Sequence, residues 1–204
     1  MIDPDLLSPE KRAQILQGAA TIFDRDGYEG ASMSQIARES NVSKGTLYNH
    51  FESKADLFAA YVAQRCATCF EPLLRPVDPA AQPEAALLEF GRRLVALMVS
   101  PQARSVYRMV ISEAETFPEL AEAFIKAGKK NSVQILARWI EGEVGQGRLS
   151  VADPEFAAEQ FFALCQAEIV TPYRLHLIDA PDARAIDRVA QGAVETFLAR
   201  YRRR

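Results

Sequence analysis

The residues best suited to chemistry lie in one short run. Ser43, Lys44, Gly45, Thr46, Tyr48, Asn49 and His50 are polar or small, and they surround two large apolar residues, Leu47 and Phe51. Four positions apart, Leu47 and Phe51 share one face of a helix and leave the rest of its surface open. With Ile36, Ala37 and Val42 completing the inward set, the run reads as the second helix of a helix-turn-helix. In that motif the N-terminal part of the second helix enters the major groove of DNA, where free N–H groups and the positive end of the helix dipole favour phosphate. Ser43, Lys44 and Thr46 sit at that end. Gly45 weakens a helix but lets its backbone approach DNA closely. A helix this short is not stable alone, so its neighbours must hold it.

Other reactive residues form weaker patterns. Cys66 and Cys69 have the C-x-x-C spacing of metal and redox sites, but there is no second pair and no nearby histidine, so no metal site is expected. Thiol sensing by either residue is the alternative to inert packing. The third cysteine, Cys165, makes the count odd, and reduced thiols are the default. The two histidines are His50 and His176, and no G-x-S-x-G, P-loop or dinucleotide fingerprint is present. An enzyme is therefore not expected: the sequence predicts no catalytic residues and no cofactor.

The elements that must position the reader are helical. Apolar residues recur at three and four almost throughout, which predicts an all-α chain of about nine helices. A first helix over 11–26 carries Ile15, Ala19, Ile22 and Phe23 on one stripe and ends at Gly27. Ser32 and Gln35 have the spacing of a capping box for a short second helix. Ser34, in the same first turn, either caps its own helix or donates to a phosphate. Asn41, in the turn, tolerates positive φ, and Ser43 caps the third helix. A fourth helix runs from Lys54 to about residue 74. Three prolines within 75–83 mark a linker or loop. Helices follow over 85–99, 103–114, 119–144, 154–177 and 181–201. The predicted organisation is a DNA-binding part over 1–53, a connecting helix over 54–75, and an effector-binding and dimerisation part over 76–204.

Composition bounds the partners. The 204 residues, 49% hydrophobic and 25% charged, describe a chain able to bury a core, with no stretch long enough to cross a bilayer and no secretory signal; no membrane partner and a cytoplasmic location are expected. Residues 1–60 hold six Lys/Arg (Lys11, Arg12, Arg25, Arg38, Lys44, Lys54) against nine Asp/Glu, while 61–204 balance at 18 each. A general electrostatic case for nucleic-acid binding fails, so such a case rests on local placement.

Ile36-Ala37 followed by the run from Val42 through Ser43-Lys44-Gly45-Thr46-Leu47-Tyr48-Asn49-His50-Phe51-Glu52-Ser53-Lys54 to Leu57 resembles the DNA-binding signature of TetR/AcrR-family transcriptional regulators. Asn41 stands where the family commonly has glycine. Residues 86–162 resemble the C-terminal type of the AefR-like subgroup. The resemblance implies that Lys44, Thr46, Tyr48, Asn49 and His50 face double-stranded operator DNA and that Lys54 rests on a phosphate. Asn49 is the residue able to pair with a base edge.

Along the last helix Ile186, Val189, Ala190, Ala193, Val194, Phe197, Leu198 and Tyr201 form a buried stripe, and the helix before it is apolar on more than one side. The family resemblance implies a homodimer joined by these two helices as a four-helix bundle. It also implies a small-molecule effector held among the C-terminal helices, with Met98, Tyr107, Met109, Phe117, Trp139, Phe162, Cys165, Gln166 and Tyr173 as candidate lining. Glu168 is placed either on a cationic ligand or at an exposed or dimer-interface position. The expected function is a ligand-responsive repressor released by a hydrophobic or amphipathic molecule; the alternative is a thiol-responsive regulator, or an activator, of the same fold.

Overall fold

A computed structural model describes residues 8–74, the side chains at 69–72 and 74 excepted, and residues 82–203. Among these residues the regular structure is helical: α1 (Pro9–Gly30), α2 (Met33–Glu39), α3 (Lys44–His50), α4 (Lys54–Leu74), α5 (Pro83–Met98), α6 (Pro101–Glu113), α7 (Pro118–Ile125), α8 (Asn131–Gly145), α9 (Pro154–Leu164), α10 (Val170–Arg174) and α11 (Ala183–Tyr201). The expected linker at 75–83 falls mostly outside the described residues; its last proline, Pro83, opens α5 at a position where a missing N–H costs nothing.

The chain divides into two compact units. The first holds residues up to Cys66 together with Ser105–Ala127, and the second holds Ala67–Arg104 and Gly128–Arg204. In the first, Ile15, Ala19, Ile22 and Phe23 of α1 are buried with Ile36, Leu47, Phe51, Leu57, Phe58 and Tyr61. Phe58 lies edge-on to both Phe23 and Tyr28, each at 5.0 Å between ring centres, and Phe117 lies edge-on to Tyr28 at 4.9 Å. The segment opening α7 thus belongs to the same core as the short helices. Tyr61 donates its hydroxyl to Asp24 Oδ1 at 2.6 Å, and Asp24 also receives Arg65.

In the second unit α11 packs chiefly on α5 and also on α9, and α8 packs on α9. The expected stripe on α11 is buried from Val189 to Leu198, with Ile186 and Tyr201 half-buried at its ends. Phe161 and Phe197 meet edge-on at 5.5 Å. Glu143, almost fully buried, receives two nitrogens of Arg148 at 2.6 and 2.5 Å, which satisfies a carboxylate that would be costly to bury alone. The C-terminal end is tied to this turn: Ser150 donates its N–H to the Tyr201 carbonyl at 2.8 Å.

Two expected helices are interrupted. The one over 154–177 stops at Leu164, and Glu168 (φ 63°) and His176 (φ 57°) take left-handed backbone. Pro172 is the cause: an uninterrupted helix needs its missing N–H on the residue 168 carbonyl, so the chain turns first and restarts at Val170 with Pro172 inside the first turn. The helix over 119–144 passes through a π-turn at Lys126–Lys130, where Ser132 Oγ bonds back to the Gly128 carbonyl at 3.2 Å.

Candidate nucleic-acid interface

The reader helix α3 is built by local caps. Ser32 and Gln35 close the expected capping box on α2: the Gln35 N–H donates to Ser32 Oγ at 3.2 Å, and the Ser32 N–H to Gln35 Oε1 at 2.9 Å. Ser34 therefore does not cap its helix; it is exposed on the first turn. The turn passes through Asn41 at φ 50°, the left-handed conformation that asparagine accepts at low cost. Ser43 then caps α3 by accepting the Thr46 N–H at 3.0 Å.

The long α1 braces this turn. Gln14 donates Nε2 to the Ser40 carbonyl at 2.6 Å, and Ser40 Oγ donates to the Ile15 carbonyl at 3.3 Å. Gly18 makes the approach possible, because a Cβ there would stand 2.2 Å from Ser40 Oγ and 2.9 Å from Ser40 N. Nothing in the periodicity of α1 signals this role for Gln14, Gly18 and Ser40; it is a tertiary contact across more than twenty residues.

On this frame Lys44, Gly45, Tyr48 and Asn49 are exposed, Tyr48 with half of its surface open. Gly45 would accommodate a Cβ, whose nearest contact would be Ser43 Oγ at 3.7 Å. No contact among the described residues demands glycine there. The other expected contacts are less open. Thr46 is buried, and its hydroxyl shares a hydrogen with Ser43 Oγ at 2.8 Å, so its side chain completes the cap and leaves the outer face. His50 is half-buried, with Nε2 enclosed and without a hydrogen-bond partner among the described residues.

Lys54 is engaged elsewhere. Gly27, at φ 73°, turns the end of α1 so that carbonyls converge on the Lys54 ammonium: Tyr28 at 2.9 Å, Ala31 at 3.0 Å and Glu29 at 3.4 Å. The Tyr28 ring centre lies 4.5 Å from the same nitrogen. An ammonium has three protons, and these carbonyls can take them all. The expectation of a Lys54 side chain extended to phosphate does not describe this arrangement; here it closes the end of α1 on the start of α4. Arg12, which the motif did not single out, spreads its guanidinium 5.1 Å from the centre of the Phe51 ring, directly after α3.

The candidate effector residues are divided between the units. Tyr107, Met109 and Phe117 belong to the first, Met98, Trp139, Phe162, Cys165, Gln166 and Tyr173 to the second. Met98, Met109, Cys165 and Tyr173 are buried, while Tyr107, Phe117, Trp139, Phe162 and Gln166 are half-buried. Arg104 stacks on Tyr173 at 4.4 Å. Burial pushes the Cys165 thiol up to about 12, which leaves it protonated and inert at neutral pH. Cys66 is buried, and the Cys69 side chain lies outside the described residues. Glu168 is exposed and paired with Arg188 at 3.1 Å. No described helix is long and apolar enough to cross a membrane.

Residues 15–61 match the family described as bacterial regulatory proteins, tetR family, and residues 85–203 match the C-terminal domain of AefR-like transcriptional repressors. The chain belongs to the TetR family. A solved structure, the flavonoid-responsive regulator FrrA, superposes with a TM-score of 0.85 at 28% identity, covering 97% of this chain and all of that one. A TetR-family regulator from Mesorhizobium loti gives 0.81 at 25% identity, over 95% and 97% of the two chains. The uncharacterised regulator YhgD of Bacillus subtilis is 25% identical over 156 residues, 74% of this chain and 78% of that protein. TetR-family proteins are transcriptional regulators rather than enzymes; they bind operator DNA and small-molecule effectors and act as dimers.

Proposed function

We propose that this TetR-family chain is a dimeric repressor whose paired α3 helices hold operator DNA until a small hydrophobic or amphipathic effector releases them. The observation that carries the reading is the exposed surface of Lys44, Gly45, Tyr48 and Asn49 on a helix whose caps and α1 brace leave it little freedom. Tyr48 and Lys44 suit backbone oxygens, and Asn49 suits an adenine edge. Ser34, Ser43 and His50 flank this face as secondary contacts.

We assign pairing to the groove lined by the small residues Ala167, Gly192, Ala193 and Thr196 and by the charged Glu168, Arg188 and Glu195, where Gly192 on α11 allows a second copy to come close. Residues 1–53 would read DNA, 54–75 would carry the signal, and 76–204 would pair and bind the effector. Because FrrA is described as flavonoid-responsive and shares 28% of its sequence over nearly the whole length, a planar polyphenol is the first effector to try.

Selection of bound fragments from the parent genome tests the whole reading. The expected result is a small set of fragments with two inverted half-sites, released by effector. A folded dimer that prefers no fragment over random duplex at low salt would overturn it.

A further inference from the structure

We infer that Arg12 is a phosphate anchor of the DNA interface. The inference rests on the DNA-binding reading of α3 and adds a cation from a different helix. The cations of the first unit differ in what holds them; Arg38, Lys44, Arg108 and Lys126, like Arg12, form no ion pair among the described residues. Arg25 is bound to Asp26, Arg65 to Asp24, and Lys54 to the carbonyls of Tyr28, Glu29 and Ala31. Lys11 donates to the neutral Gln14. Arg12, exposed, has no acidic partner among the described residues.

Arg12 is also held in place. Its guanidinium lies over the buried ring of Phe51, whose backbone N–H closes α3 by donating to the Leu47 carbonyl at 3.0 Å. Stacking orders a flat cation and leaves its edge N–H groups to reach outward. The same stretch of α1 is pinned to the turn before α3 through Gln14 and Ser40, so the first turns of α1 run beside the reader at both of its ends. A guanidinium fixed there is suited to a phosphate oxygen of the strand that flanks the groove α3 enters.

The test uses the full-length protein on a random duplex, because phosphate binding is sequence-independent, with affinity measured against salt. Arg12→Gln keeps the first part of the stem and removes the charge; Arg12→Lys restores the charge. With one phosphate fewer neutralised by each protomer, two by the dimer, the slope of log affinity against log salt falls by about 1.8, so over a fourfold rise in salt Arg12→Gln loses about 12-fold less affinity than wild type. Arg12→Lys recovers most of the slope. Unfolding curves at equal protomer concentration establish that the variants are folded. A folded Arg12→Gln with the wild-type slope overturns the Arg12 assignment and leaves the regulator reading intact. A wild type that binds no duplex at low salt overturns both.

Discussion

Replacing Lys54 by methionine separates the two roles open to this side chain. Methionine keeps the aliphatic stem and removes the ammonium, so carbonyls at 2.9 and 3.0 Å lose a charged donor while the third, at 3.4 Å, loses a weak one. A charge-assisted bond contributes about 1.5 kcal/mol at the low end, appropriate for a half-buried group whose carbonyls can recover water; two such bonds make about 3 kcal/mol before that recovery. The ring of Tyr28 adds about 0.5 kcal/mol. Allowing for rehydration, Lys54→Met should cost about 2 to 3 kcal/mol, which in a chain of this size lowers the melting temperature by about 4 to 12 °C. Urea unfolding followed by far-ultraviolet circular dichroism at fixed protomer concentration measures the loss. The salt slope of DNA binding, measured below the transition, should stay at the wild-type value. The opposite pair of results, unchanged stability with a slope smaller by about 0.9 per protomer, would mean that the ammonium leaves its carbonyls for phosphate and would refute the reasoning.

Gly18→Ala forces a Cβ against Ser40, including its backbone nitrogen at 2.9 Å, and should destabilise by about 1 to 3 kcal/mol in thermal melts; a neutral result would mean the turn before α3 yields freely. Gly192→Arg meets no atom within 4 Å of the new Cβ in the protomer, so the chain should still fold, sediment as a monomer, and lose about 10²- to 10⁴-fold in operator affinity; a stable dimer would remove this groove from the pairing surface. Stability should also decline in alkali. The folded state keeps Cys165 protonated to about 12 while the unfolded thiol ionises from 9.0, so the contribution is complete below pH 9 and is lost progressively above it, by about 2 kcal/mol at pH 10.5. Burial, with the hydrogen bond to Asp24, pushes the Tyr61 phenol up and acts in the same direction at higher pH. A urea midpoint equal at pH 7 and 10.5, or a decline undiminished in Cys165→Ala, would contradict this.

What was legible in the sequence was local. Ser32 and Gln35, Asn41, and Ser43 each act on backbone groups within a few residues, so spacing alone located the helix starts and the turn. Pro172 was also local evidence, and its effect on 154–177 followed from a missing N–H that apolar periodicity does not register. The π-turn at Lys126–Lys130 is a change in backbone hydrogen bonding that the single helix expected over 119–144 did not include. The site's larger departures are long-range. A motif shows that Lys54 opens α4, but only the fold brings it to Tyr28 and Ala31, and the amphipathic pattern of 105–127 does not say that its partner is the first unit. Thr46 shows the same limit at short range: polar in type, it is turned inward by the cap it completes.

A net charge of −3 does not decide what DNA meets locally. Counting residues treats every charge as equally available, yet Asp24 and Asp26 are each met by an arginine, and both pairs involve the half of α1 that leads away from α3. Setting those pairs aside leaves Lys11, Arg12, Arg38, Lys44 and Lys54 near the reader in sequence, the last held by neutral carbonyls that leave its charge in place. Opposing charges within a pair cancel beyond a Debye length of about 8 to 10 Å, so what a phosphate meets near α3 is set by these unpaired cations, with Glu10, Glu39 and Glu52 as the nearby acids in the sequence. The cations that one protomer presents are doubled when two readers act on one duplex, and the second docks at the effective concentration set by the first. On the proposed reading, dimerisation is therefore the step on which affinity depends most, and an effector that altered only the spacing of the two readers would release DNA without touching a single one of these charges.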